Sequence, residues 1–511
     1  MDHRKLKALA FALSFCGFAY QSLMAKTFAV FLQEEIIGFC LSSALFIYGV
    51  GLGSKRSANA RNPLHDLLKI EMILMFLGAI APMLVTYLFF IPSLELIEFS
   101  GIRLPAGPLM MIFVLAAGSI SLALGFLTGF ETPLLFRLRK DLDNQTHLNQ
   151  ILAFSYFGAL VASAVVPVIL IPRFEIYGTA ILIALASGGV CLYLTTQTQK
   201  TTSRFRIVSI GIIAILLFSL VQSPLQQLSL RIRYYGDYPK NVTSKNDLNE
   251  YFSGLNSEIK VTRHLSPYQA IDLVDGRDEN GPFFSLWLNG QFQFDSRYEK
   301  SYHEAFLQGS LKIAQSIPKK ILILGAGDGL LLRDALKTLP GESEITMVEL
   351  DPQILKMAKE DARWVALNEN SLSDKRVELI TDDAFHFLRK SERSWDAIFL
   401  DFPYPYSVEL SKLYSLEFYR IIKNRLAPSG FIVFDFPTNE SASIINSTLK
   451  AVPFASVIAY ENTESFVFAS DRTSADLNHN LGDNYKTVQL PDASSDLVNS
   501  LFKPQLPRMW E

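Results

Sequence analysis

Apolar residues follow two regimes along this chain. Up to Val221 they form long runs, at Ala8–Ala25, Ile36–Leu52, Met72–Ile91, Leu109–Phe130, Ile151–Ile171, Tyr177–Thr195 and Ile207–Val221. A membrane-crossing helix takes about 20 such residues, with roughly 17 as the lower limit. The pattern therefore predicts a polytopic α-helical membrane domain of about seven spans over residues 1–223. Ile207–Val221 falls short of that limit unless its polar flanks are drawn in. The first run is followed by more spans, so a cleaved signal peptide is not expected.

Beyond residue 260 the apolar stretches shorten to strand length. "YQAIDLVD" and "FFSLWLNGQFQFD", with Asn289-Gly290 as a hairpin turn, predict a small β-rich subdomain over 261–317. From Pro318 strands and helices alternate: "KKILILGAGDG", "LLLRDALKTL", "EITMVELD", "PQILKMAKEDARW", "RVELITDDAFHFLRK", "WDAIFLDFP", "SLEFYRIIKNRL", "GFIVFDFP". That order predicts a doubly wound, Rossmann-like α/β domain over 318–475, with its ligand crevice at the strand C-termini. Residues 224–260 are polar and broken by Pro and Gly and read as a linker; 476–511 read as a C-terminal tail.

Charge changes this picture in two places. A net charge of −3 is too balanced for a nucleic-acid partner. Thirteen Lys and Arg lie in one alternating set of inter-span segments against three in the other, which puts the N-terminus in the cytoplasm. Seven full crossings would then export the polar half, and one segment that does not cross would return it. Glu131 reads as a helix-end residue at the headgroup level, with Pro133 ending the span and Arg137 neutralising the charge; the competing reading is an intramembrane functional carboxylate. No run of ionisable residues marks an ion path. All three cysteines (Cys16, Cys40, Cys191) fall in apolar runs, so the polar half has no disulfide or thiolate metal site, and no metal is expected.

Four predicted strand ends carry acids: Asp328, Glu349, Asp383 and Asp401. The turn Gly325-Ala326-Gly327-Asp328-Gly329 is followed 20 residues after its last glycine by Glu349, where an acid accepts hydrogen bonds from both ribose hydroxyls. Asp328 would repel a pyrophosphate in that turn. It suits a cation instead, and the crevice fits an adenosyl sulfonium together with a positively charged amine.

The segments "YQAI", "LWLNGQFQFDSRYEKSYHEAF", "ILILGAGDG", "ITMVELD", "DDAFHFL", "WDAIFLDFPYP" and "LYSLEFY" occur in order from about Tyr268 to Pro437. In this the polar half resembles the spermidine/spermine synthase (polyamine aminopropyltransferase) family, and the N-terminal half resembles the multi-pass region fused to such domains in some bacterial members. The resemblance implies a class I transferase-type fold that moves the aminopropyl group of decarboxylated S-adenosylmethionine to an amine such as putrescine, releasing methylthioadenosine. Asp401 would accept the amine's proton. His303 and Asp328 would hold the amine, with Tyr404 beside them, and Tyr302 and Glu304 would shape the pocket. Gln269, Gly325, Gly327, Glu349, Asp383 and Ala384 would contact the nucleoside.

The same resemblance implies no permanently bound cofactor, decarboxylated S-adenosylmethionine as co-substrate, and a lipid bilayer, a small amine and the adenosyl sulfonium as partners. A homodimer through the soluble domain and a cell (inner) membrane location with the catalytic domain facing the cytoplasm are further expectations. The chain departs from the family pattern at four positions. Ala326 replaces a glycine, Tyr404 the second acid of D-x-x-D-P, Val408 a proline, and Tyr298 the acid before Glu299. Two other functions compete: another adenosyl-dependent transferase, such as a methyltransferase, and a polyamine or nucleoside sensor without turnover. Asp328 would repel an intact methionine carboxylate, and the retained Asp401 argues against a sensor.

Overall fold

The computed structural model describes residues 3–32, 35–93, 106–138, 145–198, 201–235, 260–405, 407–436 and 439–505. Two units result, Met1–Val261 and Thr262–Glu511.

The first unit is helical: α1 (His3–Leu32), α2 (Glu35–Ser57), α3 (Pro63–Ser93), α4 (Ala106–Thr128), α5 (Glu131–Arg137), α6 (Gln145–Val165), α7 (Ile171–Thr196) and α8 (Thr201–Tyr235). Among the described residues six helical runs are long and apolar enough to cross a membrane. One of them, Leu148–Thr196, is 49 residues long and contains two of the predicted runs. Pro167, which has no amide to donate, lies in a wider π turn over Val166–Leu170, and Glu175 leaves helical geometry at φ 56. Two helices meet there. The shortest predicted run sits inside the 35-residue α8. Residues 224–235, read as linker, continue that helix, and 236–259 lie outside the described residues.

Close packing in this unit relies on glycine. A Cβ on Gly49 or Gly53 of α2 would come within 2.3 or 1.9 Å of the Leu122 or Phe126 carbonyl oxygen of α4. Small residues let two apolar helices bring their backbones together, which supplies packing where water does not.

Glu131 departs from its sequence reading. It is buried, 2% exposed, and Arg137 donates to the Ser57 and Ala60 carbonyls rather than to it. Pro133 does not end the helical path but lies in the first turn of α5, where its missing amide costs no hydrogen bond.

The second unit begins with a four-stranded sheet in the order β1 (Lys260–Leu265), β2 (Ala270–Asp278), β3 (Gly281–Leu288), β4 (Gln291–Asp295). Asn289 and Gly290 both take positive φ (50° and 81°), as a two-residue hairpin turn requires. Eight further strands follow: β5 (Lys320–Gly325), β6 (Glu344–Glu349), β7 (Val377–Thr381), β8 (Trp395–Asp401), β9 (Leu426–Asp435), β10 (Ser456–Glu461), β11 (Ser465–Ser470) and β12 (Lys486–Val488). They form one sheet in the order β12-β10-β11-β9-β8-β5-β6-β7. β5 to β9 pair in parallel, and β10 to β12 are antiparallel additions. The predicted tail is more than a tail: it supplies β12, and Leu477, Leu481 and Tyr485 join the core.

Successive side chains of the parallel strands enter opposite cores. Ile323, Met347, Phe399 and Val433 pack on one face with the small sheet and with Phe306; Leu324, Val348, Leu400 and Phe434 pack on the other. Register then decides what happens one residue later. Leu324 pairs with Val348 and Leu400, and Leu400 with Phe434. Glu349, Gly325, Asp401 and Asp435 therefore form one row across four adjacent strands, at their C-terminal ends and on the first face.

Candidate active site

That row is a line of acids interrupted by a glycine, and the glycine is required. Gly325 has φ +85, and a Cβ on it would lie 2.0 Å from the Asp401 carbonyl oxygen. The chain turns there and brings Asp328 over the row. Asp328 caps the start of the helix Leu330–Thr338 by accepting the Leu330 amide at 2.8 Å. Ala326 also adopts a left-handed φ of 57°, so the family's glycine is replaced by a residue that pays a steric penalty in this conformation.

On one side of Gly325 lie the residues expected to contact a nucleoside. A Cβ on Gly327 would sit 2.7 Å from Glu349 Oε2, so the carboxylate rests against bare backbone. Glu349 Oε1 accepts the Asp351 amide at 2.8 Å. Asp351 Oδ2 in turn accepts from Gln269 Nε2 at 2.9 Å and from Ser266 Oγ at 2.7 Å. Gln269, from the small sheet, thus reaches the end of β6. Burial, helped by the Asp351 and Asp328 charges, raises the Glu349 carboxyl to about 7.

Asp383 sits one loop further, after β7. It accepts the His386 amide at 3.0 Å and pairs with Lys412 at 2.7 Å. Burial would raise it, but these partners hold it below the usual carboxylate range. Ala384, buried, follows it as the first residue of the helix Ala384–Lys390.

On the other side lie the residues expected to hold the amine. Tyr302 donates to Asp401 Oδ1 at 3.1 Å. Burial and the neighbouring Asp328 charge raise Asp401 to about 6, against the opposing pull of His303 and the Tyr302 hydroxyl. His303 is buried, with Nδ1 2.8 Å from the Glu299 carbonyl and 3.1 Å from its carboxylate. Burial disfavours its cation, yet the Glu299 hydrogen bond and the Asp328 and Asp401 charges raise it. Arg333 grips the same Glu299 carboxylate with two hydrogen bonds, at 2.9 and 3.0 Å. Burial opposes the Glu299 charge, and the His303 and Arg333 bonds overcome it, leaving that carboxyl at about 2.

Asp328, Glu349, Asp401, Tyr302 and Tyr404 all keep partial exposure. Glu304 is exposed, and its charge acts on Tyr485.

Sequence reasoning missed Asp435. It is 5% exposed, its Oδ1 has no hydrogen-bond partner, and Tyr404 hydrogen-bonds its carboxyl. Burial, with the Asp401 charge, raises it to about 8. Tyr404, which stands where the family keeps an acid, thus meets an acid from the next strand. The signal was present in "GFIVFDFP", a strand ending in Asp435 like the others. Asp351, Lys412 and the Glu299–Arg333 pair were missed as well.

Residues 299–457 match the Spermine/spermidine synthase domain. A polyamine aminopropyltransferase of Leptospira interrogans is 29% identical over 81% of this chain and 75% of its own length. Polyamine aminopropyltransferase 2 of Aquifex aeolicus is 26% identical over 89% of this chain and 84% of its own. The chain carries a spermidine/spermine synthase domain over residues 299–457. It is an enzyme of the aminopropyltransferase, spermidine synthase-like class. Among solved structures, the spermidine synthase from Thermotoga maritima is similar at 20% identity and a TM-score of 0.38, covering 49% of this chain and 86% of that one. The family's alignment with curated relatives extends well beyond the matched domain into the helical unit, since 81–89% of the chain is covered.

Proposed function

We propose that the second unit transfers the aminopropyl group of decarboxylated S-adenosylmethionine to a diamine such as putrescine. The observation that carries this reading is the single row of Glu349, Gly325, Asp401 and Asp435 beneath Asp328. The nucleoside lies along Gly327 and Glu349, its ribose hydroxyls donating to the Glu349 carboxylate, with Gln269, Asp383 and Ala384 around the base. The sulfonium and its aminopropyl arm face Asp328. An amine of pKa ~10 arrives protonated, and Asp401 takes a proton from it. The freed nitrogen lone pair attacks the aminopropyl carbon, the carbon–sulfur bond breaks, and its electron pair neutralises the sulfonium to give methylthioadenosine. Tyr302 orients Asp401, while the Glu299–Arg333 pair fixes His303.

Asp435, with Tyr404 hydrogen-bonded to it, takes the place of the missing second acid and holds the distal ammonium of the diamine. Its unpartnered Oδ1 supports that assignment. The first unit, with its six long apolar runs, anchors the enzyme in a bilayer, with the second unit facing the cytoplasm where the sulfonium substrate is made. A reporter fused after Glu511 tests the side.

The decisive assay incubates purified full-length protein with decarboxylated S-adenosylmethionine and a panel of amines, following methylthioadenosine. Release with a diamine is expected. Failure with every amine, alongside methyl transfer from S-adenosylmethionine, would replace this reading with a methyltransferase.

A further inference from the structure

The helical unit holds a second pair of acids that the transfer chemistry does not use. Glu71 on α3 and Glu131 at the start of α5 are 1% and 2% exposed. Their carboxyl groups face each other, and Ser187 of α7 donates to Glu71 Oε2 at 2.9 Å. Neither Oε1 receives a hydrogen bond from any other residue. Two ionised carboxylates only accept, so a facing pair in an apolar interior is stable only with a proton or another cation between them.

Two more buried oxygens without partners come from neighbouring helices. The Tyr20 hydroxyl of α1, without a well-formed hydrogen bond, lies beside Glu71 and against the Ser187 hydroxyl. Gly78, two turns after Glu71 on α3, makes room for that ring: a Cβ there would sit 2.2 Å from Tyr20 Cε1. Thr128 of α4 packs on α1 at Gly17, where a Cβ would lie 2.5 Å from its Cγ2, and its Oγ1 is also unpaired. Cys16 and Cys191 complete the titratable surroundings, and both feel the Glu71 charge. Among the described residues the side chains that set the charge state of the pair are Glu71, Glu131 and Ser187, none of them a cation.

Buried ionisable groups among apolar helices are expensive and are retained where they bind or move charge. We propose that these groups form a cation-exchange site in the helical unit. Glu71 and Glu131 hold one proton between them, and a monovalent cation, inorganic or a primary ammonium, enters by displacing it. The entering charge takes Glu71 Oε1, Glu131 Oε1, the Tyr20 hydroxyl and Thr128 Oγ1, and the proton leaves to solvent, so net charge is conserved. This site is independent of the transferase reading.

The test uses the full-length chain in detergent micelles at low buffer capacity, with potassium chloride and methylammonium chloride added separately. Proton release from wild type is compared with release from the double variant Glu71→Gln/Glu131→Gln, with thermal unfolding as the check on folding. Both proteins share the acid cleft of the second unit, so the difference reports the helical site alone. About one proton more per wild-type chain is expected, as for a coupled carboxyl pair. The cation that releases it distinguishes the inorganic from the organic source. Equal release from both proteins, or none from wild type with either salt, overturns the proposal. Should the double variant not fold, the infrared carbonyl band that wild type shows and the single variant Glu131→Gln lacks decides. The proposal requires that band to diminish on adding cation, and an unchanged band overturns it.

Discussion

The two halves of the cleft are built differently. The half proposed for the nucleoside is satisfied from within: Glu349 accepts from Asp351, Asp351 from Gln269 and Ser266, and Asp383 from His386 and Lys412. The half proposed for the amine brings together Tyr302, His303, Asp328, Asp401, Tyr404 and Asp435 from separate segments, and it leaves a buried carboxylate oxygen unpaired. A shape held by its own hydrogen bonds is ready before the ligand arrives. One with crowded carboxyls lacks its counter-charge until a cation enters.

The contrast breaks or sharpens most strongly at Asp401. Asp401→Asn should lower the rate of methylthioadenosine release about 10²- to 10⁴-fold, the usual worth of a positioned general base. Nucleoside affinity, measured by equilibrium binding, should change little; a parallel collapse would show that the halves are not separate. The same carboxyl sets an acid limb. With Asp401 raised to about 6, it is ionised and able to accept a proton above that pH, and becomes neutral below it. The rate at low amine concentration should therefore fall as pH drops through about 6, and Asp401→Asn should abolish the limb.

Next in size is Asp435→Asn. Loss of a hydrogen bond to a charged group is worth about 1.5–3 kcal/mol, so KM for the diamine should rise roughly 10- to 100-fold. The maximal rate should hold within a few-fold. Adding Tyr404→Asp to that variant should recover part of the affinity. No recovery, with KM unchanged in the single variant, would take Asp435 out of the amine half.

On the other half, Glu349→Gln should weaken nucleoside binding about tenfold, by loss of a charged acceptor, and leave KM for the amine unchanged. Because Glu349 is raised to about 7, wild-type nucleoside affinity should increase with pH through that value as the carboxylate forms. The smallest effect belongs to the turn between the halves. Ala326→Gly removes a left-handed penalty of about 1 kcal/mol, and should raise the melting temperature by about 2–4 °C with activity unaltered.

How much of this was legible in the chain depended on distance along it. Strand ends followed by glycine or helix caps announce themselves, so Asp328, Glu349, Asp383 and Asp401 were readable one segment at a time. Asp435 was not, because its importance comes from register: Leu400 pairs with Phe434, which sets Asp435 beside Asp401. Glu71 was missed for a related reason. The apolar run was read from Met72, but α3 starts at Pro63, so the acid lies inside the helix rather than before it.

The sequence by itself determined the division into an apolar helical half and an α/β half, the alternation of strands and helices along the second, and the acid-rich strand ends that suit cationic substrates. Hydrophobic period and local turn chemistry are properties of short segments, and they survive without a partner. Tertiary structure alone decided which acids share a site. It set Asp435 against Tyr404 and Asp401, joined Glu71 to Glu131, freed Arg137 for two carbonyls, and drew the C-terminal residues into the sheet edge. Charges interact through space, and only the packed chain fixes which of them are neighbours.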